Sequence, residues 1–586
     1  MPETSKYSFE YFFNSETVVV FLALVLAGLA AYSYLYPSYP DINEFFLHEQ
    51  SSVATIRLPA ETAIYRSKVT PHGRQLISGL SIADNAQNSY STRDGNVLDI
   101  WRLTLKNTIP LATAVSDGGG IVGNFVQVPL SNEELELLVH AIGQKFASWT
   151  KRRTKSTGKV DPHVVIALGS SLESLICFFA ATLYGFSAVF LHEFQNTDET
   201  GLNELIELAD PDILVSSGSI LNKLEFERFL HLEGIVSVNA RYFDIKTKEL
   251  LPAHVAENYI TWPDLVSKAK STESKIIQEL THTPEIPVKV AYLSKELPVN
   301  SSNIDNLPYD NIQSTLNQSE IAHRPNKQLA CFTDKAIVSS IAAQIKAIPA
   351  SHQWSTKDSI LTFNSQFNGY SFVLQLCALV SGSRLIFVDS SNIVYHPLKL
   401  LSDIGPTVMI TEDSVTRTLV GLADDLSIFN SLRFYRAQTE LSKGRLPDKS
   451  ILAELKSLRL IHSGAYTQGQ SLSTEDTNTI RALSGAYLIH SLNTPLSLSP
   501  IAQTAIYDYR TSNALRWIHF GPPLPCLEIK LRDFRNYHAS NRMGQLLLKG
   551  NSLPSGTEWV EENLIARLGT DGCVKQLLNV DYSISK

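Results

Sequence analysis

A regular alternation of apolar strand patterns and amphipathic helix patterns occupies residues 163–217. HVVIAL is typical of a short buried strand, and SLESLICFFAATLYG, which ends at Gly185, is typical of a helix of nearly four turns. SAVFL, GLNELIELA and PDILVSS then continue the series as strand, helix and strand. Because a helical crossover joins neighbouring parallel strands, this order predicts a parallel sheet.

The same alternation returns in the second half of the chain. Thr333 is a helix-cap signal ahead of a run with apolar residues at helical spacing, and SILTF, a helix from Tyr370, SRLIFVD and PTVMIT follow. Further on, CLEIKLRDF and GQLLLKG are short alternating strands separated by turn residues. The sequence therefore predicts an α/β protein with two wound lobes, each containing a largely parallel sheet, and a small antiparallel β sub-domain.

These patterns divide the chain into six predicted ranges. They are a tail at 1–16, an apolar helix at 17–36, a mixed N-terminal part of the first lobe at 37–130, the first α/β lobe with a long polar insert at 131–330, the second α/β lobe at 331–500 and the β sub-domain at 501–586. A chain of 586 residues, 44% of them apolar, is long enough for several lobes with sizeable cores.

The N-terminal apolar segment, TVVVFLALVLAGLAAYSYLY, contains no charge over residues 17–36. Twenty such residues are about the length of a helix that crosses a bilayer, and tyrosines crowd the far end as they do at membrane interfaces. A buried core helix and a cleaved signal peptide are the alternatives, although acidic residues outnumber Lys6 where a signal peptide is positive.

We therefore expect one N-terminal transmembrane helix and membrane lipid as a partner through residues 17–36. The implied localisation is that of a single-pass protein of an internal membrane such as the endoplasmic reticulum, with the globular part on the cytosolic side. Sparse cysteines, five in all and without a CxxC pair, fit a reducing compartment and exclude a zinc site or disulfide framework of the usual spacing.

Charge excludes one class of partner. Lys plus Arg number 50 against 58 for Asp plus Glu, so the formal net charge is −8. A chain with this balance lacks the overall positive charge that attracts a phosphate backbone, and we expect no nucleic acid partner.

Several motifs resemble those of the adenylate-forming, or AMP-binding, superfamily, which includes the fatty acyl-CoA synthetases. They are TWPDL at Thr261, LRLIHSGAYTQGQ at Leu458, FGPPLPCLEIKLRDFRN and MGQLLLKG. The resemblance covers roughly residues 130 to 580 and corresponds to the large N-terminal portion of the family, without its mobile C-terminal domain and the catalytic lysine of that domain. It implies a reaction in which ATP and a carboxylate form an acyl adenylate, which a thiol such as coenzyme A then attacks.

The phosphate loop of the family is glycine-rich because backbone N–H groups must approach the phosphate closely. In this sequence no glycine occurs from Ile235 to Asn368, a stretch of 134 residues. One alignment places the loop at QSTLNQSEIAHRPNKQ, with Pro325 and Lys327 as its remnant, and another places it at LSKELPVNSSN. Neither alignment supplies the glycines of the loop.

The remaining nucleotide motifs are also degenerate. By resemblance, the pocket positions are Ser463 and Gly464 in the strand and turn before the adenine pocket, His490, Asn493 and Thr494 in the turn where the family has threonine and glutamate, and Leu564 at the position of the ribose-binding aspartate. The magnesium-binding carboxylate is missing from that turn, and leucine accepts no hydrogen bond from a hydroxyl.

We therefore predict no catalytic residue, no metal site and no cofactor, and a pseudoenzyme that serves as a membrane-anchored, lipid-related binding or scaffolding protein. One alternative is a divergent long-chain fatty acid–CoA ligase, an acid–thiol ligase for which ATP, magnesium and CoA would be cofactors. Another alternative is a structural subunit of a membrane complex. The expected partners beyond membrane lipid are a fatty acid or acyl chain and a protein of such a complex.

Overall fold

The protein is described here by a computed structural model. The described residues are 15–35, 39–83, 92–106, 111–116, 125–157, 161–192, 194, 197–239, 251–271, 284–294, 326–363, 366–388, 397–466, 471–510 and 517–577. Part of the polar insert, residues 295–325, lies outside these ranges, as do Pro325 and most of both predicted phosphate-loop segments.

The α-helices of the described residues are α1 Ser15–Leu35, α2 Glu44–His48, α3 Val97–Leu105, α4 Asn132–Thr157, α5 Leu172–Leu183, α6 Glu199–Ala209, α7 Gly218–Leu221, α8 Ala253–Glu257, α9 Trp262–Ser271, α10 Asp334–Ala347, α11 Gly369–Ser381, α12 Pro397–Ile404, α13 Asp413–Val420, α14 Ile428–Ser442 and α15 Thr474–Ser484.

The strands of the described residues are β1 Ser51–Arg57, β2 Ala63–Ser67, β3 Ile82–Ala83, β4 Thr92–Arg93, β5 Leu111–Ser116, β6 Phe125–Leu130, β7 His163–Ala167, β8 Ser187–Leu191, β9 Ile213–Ser217, β10 Gly234–Val238, β11 Tyr259–Thr261, β12 Val288–Ser294, β13 Asn326–Phe332, β14 Ser359–Phe363, β15 Arg384–Val388, β16 Val408–Glu412, β17 Leu460–Tyr466, β18 Tyr487–Asn493, β19 Ala502–Gln503, β20 Trp517–Gly521, β21 Leu527–Arg532, β22 Met543–Gly550, β23 Val560–Leu568 and β24 Val574–Leu577.

The first lobe contains a seven-stranded sheet in the order β11-β10-β9-β7-β8-β12-β13. Neighbouring strands are parallel except for β12 and β13, which are antiparallel. In β7, Val164 and Ile166 pack into the core that contains Ile176 of α5, whereas Val165 packs with Leu205 of α6 on the other face. Every residue of this strand is buried because helices cover both faces of the sheet.

The second lobe contains an eight-stranded sheet in the order β19-β18-β17-β16-β14-β15-β5-β6. The six inner strands are parallel, and the edge strands β19 and β6 are antiparallel to their neighbours. Thr333 caps α10 with its side-chain oxygen, as the sequence predicts. The predicted range 37–130 contributes β5 and β6 to this sheet.

A third, seven-stranded sheet has the order β1-β2-β21-β22-β23-β24-β20 and is antiparallel throughout. Its last five strands in chain order come from residues 517–577, whereas β1 and β2 come from the beginning of the globular part. The prediction of a mixed α/β fold with largely parallel sheets and one antiparallel sheet is confirmed.

The apolar segment at 17–36 is helical, since α1 covers Ser15–Leu35. Its side chains from residue 19 to residue 28 are exposed, with Phe21 68% and Leu24 67% accessible. Over the residues that the structure describes, no helix has both the length and the apolar character needed to cross a bilayer. The transmembrane part of the prediction is therefore unsupported.

Candidate functional site

Polar residues of the second lobe gather at the carboxyl ends of two neighbouring parallel strands. Ser463 and Gly464 lie in β17, and His490 and Asn493 lie in β18, where the register pairs Ser463 with His490. In open α/β sheets, ligands bind beyond the carboxyl ends of the strands. The structure therefore brings these four predicted pocket positions together at the edge where a ligand site is expected.

The carboxylate of Asp413 lies at the centre of this group. Asp413 begins α13, directly after β16, and its Oδ1 accepts a hydrogen bond from Ser463 Oγ at 2.6 Å. Its Oδ2 accepts from His490 Nε2 at 2.8 Å and from the backbone N–H of Leu472 at 2.9 Å. The Asp413, Ser463 and His490 side chains are at most 3% exposed. The sequence patterns missed Asp413 because its partners lie 50 and 77 residues away along the chain.

This cluster differs from a serine-hydrolase relay. In such a relay the histidine lies between the serine and the aspartate and can take the serine proton. Here the carboxylate lies between Ser463 and His490 and holds both side chains. The arrangement therefore gives the buried Asp413 carboxyl group three hydrogen-bond partners and does not activate the Ser463 hydroxyl.

The residues next to the cluster leave little room around Gly464. A Cβ atom at this position would lie 2.8 Å from Asn493 Nδ2 and 3.2 Å from Tyr370 Cδ1. Asn493 Nδ2 donates to the Ala465 carbonyl at 3.0 Å. Glycine at 464 is therefore explained by packing within the protein.

Two buried polar atoms of β17 and β18 have no hydrogen-bond partner among the described residues, Asn493 Oδ1 and His462 Nε2. The other ring nitrogen of His462, Nδ1, lies 2.8 Å from the Tyr370 hydroxyl. Burial, together with the positive charge of Arg459, lowers the pKa of His462 to about 3, so its imidazole is neutral. Unpaired buried polar atoms are uncommon in proteins, and a ligand can satisfy them.

The predicted pocket residue Thr494 contacts a carboxylate from another sheet. Its Oγ1 donates to Glu562 Oε2 at 2.5 Å, and Glu562 lies in β23 of the antiparallel sheet. Burial raises the pKa of Glu562 to about 7, although hydrogen bonds from Thr494 and from the backbone of Asn563 oppose the increase. The turn itself contains no carboxylate, but Glu562 brings one to Thr494 from another sheet.

A tyrosine of the first lobe, Tyr292, interacts electrostatically with Glu562. Burial and, second, the charge of Glu562 raise the pKa of Tyr292 well above its usual range. The Tyr292 hydroxyl donates a hydrogen bond to Gln328 of β13. Strands from all three large sheets thus approach one another around Glu562, whose carboxyl group can gain or lose a proton near neutral pH.

The alternation within β23 was the signal that could have revealed Glu562. Residues 562, 564, 566 and 568 are all buried, so they share the inward face of the strand. Leu564, the predicted ribose position, is 4% exposed and packs in the apolar core of the antiparallel sheet. A leucine in this setting offers a ligand no polar atom.

Lys327 of the predicted phosphate-loop remnant is not brought to this site. Pro325 lies outside the described residues. Lys327 lies in β13, where its Nζ is 3.4 Å from Glu204 Oε2. Because successive residues of a strand point to opposite faces, Lys327 points away from the face on which Gln328 meets Tyr292. Its charge is directed to α6.

A separate group of possible metal ligands consists of His519, Asp571 and Cys573, whose donor atoms lie within 4.8 Å of one another. The Arg510 guanidinium lies 3.1 Å from Asp571 Oδ2 and 2.6 Å from Asp508 Oδ2. Because this cation already balances the carboxylates, the geometry is that of an ion-pair network.

Solved structures of several ligases share this architecture. The anthranilate CoA ligase AuaEII in complex with anthranoyl-AMP matches with a TM-score of 0.54 and 14% identity, covering 82% of this chain and 76% of that chain. A benzoate CoA ligase from Burkholderia xenovorans LB400 matches with a TM-score of 0.52 and 13% identity, covering 82% and 79%. The N-terminal domain of FACL13 from Mycobacterium tuberculosis matches with a TM-score of 0.51 and 10% identity, covering 83% and 99%.

A sequence relative spans nearly the whole chain. The uncharacterized protein YHR045W of Saccharomyces cerevisiae (strain ATCC 204508 / S288c) is 24% identical over 592 residues, covering 93% of this chain and 92% of its own length. No protein-family model matches the sequence. The structural neighbours confirm the predicted resemblance at the level of the fold, and the chain has the fold of the anthranilate and benzoate CoA ligases named above.

Proposed function

We propose that this chain uses the adenylate-forming fold as a lipid-related binding or scaffolding protein and does not catalyse adenylation. The observation that carries the proposal is the pairing of the pocket residues with one another. Asp413 holds Ser463 and His490, and all three are buried. Side chains that already satisfy one another must lose these bonds before they can bind a nucleotide.

Two further features support the loss of adenylation. The segment where the phosphate loop belongs has no glycine over residues 235–368, and close backbone approach to a phosphate favours glycine. Lys327 is paired with Glu204 away from Thr494 and Glu562. Without the loop and its lysine, the developing charge on a phosphate lacks preorganised donors, and each missing donor typically costs about 3–4 kcal/mol of transition-state stabilisation.

A pyrophosphate-release assay tests this proposal directly. The full-length protein is incubated with ATP, magnesium and long-chain fatty acids, and we expect release no faster than in a protein-free blank. Thermal unfolding is recorded in parallel, and millimolar ATP with magnesium should leave the midpoint unchanged, since a ligand that binds the native state must raise it. Release that depends on both fatty acid and ATP would refute the proposal.

A divergent fatty acid–CoA ligase is the second candidate, and Glu562 is the observation that favours it. A carboxyl group next to Thr494 could serve magnesium, and the unpaired atoms Asn493 Oδ1 and His462 Nε2 could accept or donate hydrogen bonds to a ligand. In this case ATP, magnesium and CoA would be cofactors and a fatty acid the substrate.

Two neighbouring glutamates offer a matched test of the ligase candidate. Glu562 is buried, whereas Glu561 is half exposed and paired with Arg532. If the protein releases pyrophosphate, Glu562→Gln should lower the rate at least tenfold and Glu561→Gln should leave it unchanged. Equal rates in both variants would remove Glu562 from the reaction.

We also propose that α1 associates with lipid, in keeping with an internal membrane such as the endoplasmic reticulum and a cytosolic globular part. Its exposed apolar side chains support lipid contact, because leaving such residues in water is unfavourable. The five cysteines are free, which suits a reducing compartment. In a flotation experiment the full-length protein should rise with phosphatidylcholine vesicles, and recovery at the bottom of the gradient would contradict lipid contact.

A further inference from the structure

Helix α14 carries an exposed apolar surface that is not part of the cluster around Asp413. Its four residues, which we call the α14 face, are Ile428, Phe429, Leu432 and Tyr435, and they are 81%, 81%, 66% and 73% exposed. Their spacing of one, four and seven positions places them on one side of the helix. We propose that the α14 face lies on a lipid surface, in the interfacial region between headgroups and acyl chains.

The buried residues of the helix show that the α14 face points away from the protein. Ala437 and Leu441 are buried and hold the opposite side of α14 in a small core with Ile451 and Tyr509. The α14 face therefore cannot reach the protein interior without unfolding the helix. Burial of a large apolar side chain is favourable, so four such residues in water represent a substantial binding potential.

Clustering distinguishes the α14 face from ordinary exposed apolar residues. Leu230 in the first lobe is 84% exposed, and single residues of this kind are normal on protein surfaces. A set of four on one helical side is typical of an interaction site.

The composition of α14 fits a lipid surface. Arg433 and Arg436 are exposed, and Lys443 follows the helix, so basic side chains flank the apolar residues. Phe, Leu and Ile on one side with arginine nearby are typical of helices that lie in the plane of a bilayer interface. The exposed Asp424 and Asp425 precede the helix and oppose anionic lipid there, so contact should depend more on apolar insertion than on lipid charge.

The attachment of the N-terminal chain supplies the second argument for lipid. The backbone N–H of Asp41 donates to the Gly444 carbonyl at 2.9 Å, and Asp41 Oδ2 accepts from the backbone N–H of Leu446 at 2.9 Å and from the Tyr509 hydroxyl at 2.8 Å. These bonds fix the chain that follows α1 to the segment that follows α14.

The reach of the chain then limits how far α1 can lie from the α14 face. Asp41 lies six positions after Leu35, the end of α1, and an extended chain of six steps spans at most about 21 Å. Leu432 lies twelve residues before Gly444, about 18 Å along a helix. Both elements are therefore close enough to meet one bilayer surface, and this inference rests on the lipid contact proposed for α1.

Exposed aromatic residues occupy the stretch between the two elements. Tyr39, Phe45 and Phe46 are 76%, 67% and 60% exposed, and Asn43 caps the short helix α2 that carries the phenylalanines. Aromatic rings are favoured at the headgroup level of a bilayer. Exposed aromatic side chains thus lie on both sides of Asp41, the residue bonded to the segment that follows α14.

The test uses a polarity-sensitive nitrobenzoxadiazole label on the full-length protein. The label is attached at Leu432→Cys and, in a second protein, at Tyr435→Cys, with Leu230→Cys as the matched control at an exposed position. On phosphatidylcholine vesicles, emission from 432 and 435 should shift to the blue and be quenched by brominated acyl chains. Emission from 230 should change in neither respect. Wild type treated with the same label corrects for any label on native cysteines, four of which are buried.

Each other outcome overturns the inference in a recognisable way. Protein that floats with vesicles while 432 and 435 behave like 230 leaves the lipid contact of α1 intact and removes α14 from it. Protein that does not float contradicts both contacts. A blue shift that appears without lipid and grows with protein concentration would assign the α14 face to a second copy of the chain. None of these results depends on whether pyrophosphate is released.

Discussion

Thr494 donates a hydrogen bond to Glu562 at 2.5 Å and so joins the end of β18 in the second lobe to β23 of the antiparallel sheet. The two residues are 68 positions apart, and both are almost completely buried. The bond places an ionisable group where three sheets approach one another. The protonation of Glu562 is therefore coupled to how these sheets pack.

The pH dependence of stability should reveal Glu562. Burial raises its pKa from 4.5 to about 7, so the folded protein keeps a proton that the unfolded chain releases above pH 4.5. The free energy of unfolding should therefore fall by about 3 kcal/mol as pH rises through this window. Glu562→Gln cannot titrate and should remove that part of the fall. Urea unfolding at pH 5 and pH 8 measures the difference.

Glu561→Gln is the control for this measurement, because Glu561 lies next in the chain with an exposed side chain. It should retain the wild-type difference between the two pH values. Identical pH profiles for Glu562→Gln and wild type would contradict the raised pKa.

Acid should destabilise the protein through His462. Burial, reinforced by Arg459, lowers the pKa of His462 from 6.5 to about 3, so below pH 6.5 the unfolded chain binds a proton that the folded protein excludes. This group should cost about 2 kcal/mol of stability between pH 7 and pH 5, opposite in sign to the effect of Glu562. His462→Gln should abolish this contribution in urea unfolding at the two pH values. His538→Gln, at an exposed position, should leave it unchanged.

Removal of the Asp413 side chain should destabilise the folded protein. Asp413→Ala leaves Ser463, His490 and the Leu472 amide without their common acceptor, and we expect a loss of about 3–5 kcal/mol in the free energy of unfolding. Asp424→Ala, at an exposed position, should change stability by less than about 0.5 kcal/mol. Similar urea midpoints for the two variants would show that the cluster does not stabilise the fold.

A methyl group at Gly464 should also destabilise the protein. The added Cβ would meet Asn493 Nδ2 at 2.8 Å in a closely packed region, and overpacking of this kind costs about 1–3 kcal/mol. Gly421→Ala is a suitable control, because Gly421 has ordinary helical backbone angles and open space at its Cβ position. A thermal-unfolding midpoint lower for Gly464→Ala than for Gly421→Ala is expected, and the reverse order would argue for an open pocket.

Local sequence patterns predicted the two wound lobes, because the pattern of a strand or a helix depends only on residues that are close together in the chain. The apolar runs at His163–Ala167 and Leu172–Leu183 differ in length and in the residues that flank them, so local patterns alone distinguish the strand from the helix. The carboxyl ends of β17 and β18 could be located for the same reason, and with them Ser463 and His490.

Partners that are distant in the chain could not be predicted in this way. Asp413 begins a short helix and has no motif of its own, and Glu562 stands in a strand whose alternation places it inside without saying what it meets. The resemblance concerned only the residues of the turn that contains Thr494, whereas Glu562 reaches Thr494 from another sheet. The alternation of β23 indicates that Glu562 is buried, but a single sequence does not indicate that Thr494 is its partner.

The pairing of β2 with β21 joins Arg66 to Glu528, 462 residues apart, by an ion pair. At typical rates of synthesis, roughly 20 to 90 seconds pass between the emergence of these two residues from a ribosome. During that interval the hairpin formed by β1 and β2 has an unpaired edge, and such an edge is prone to pair with other chains. A chaperone that shields the nascent hairpin should therefore improve the yield of folded protein more than one that acts after release.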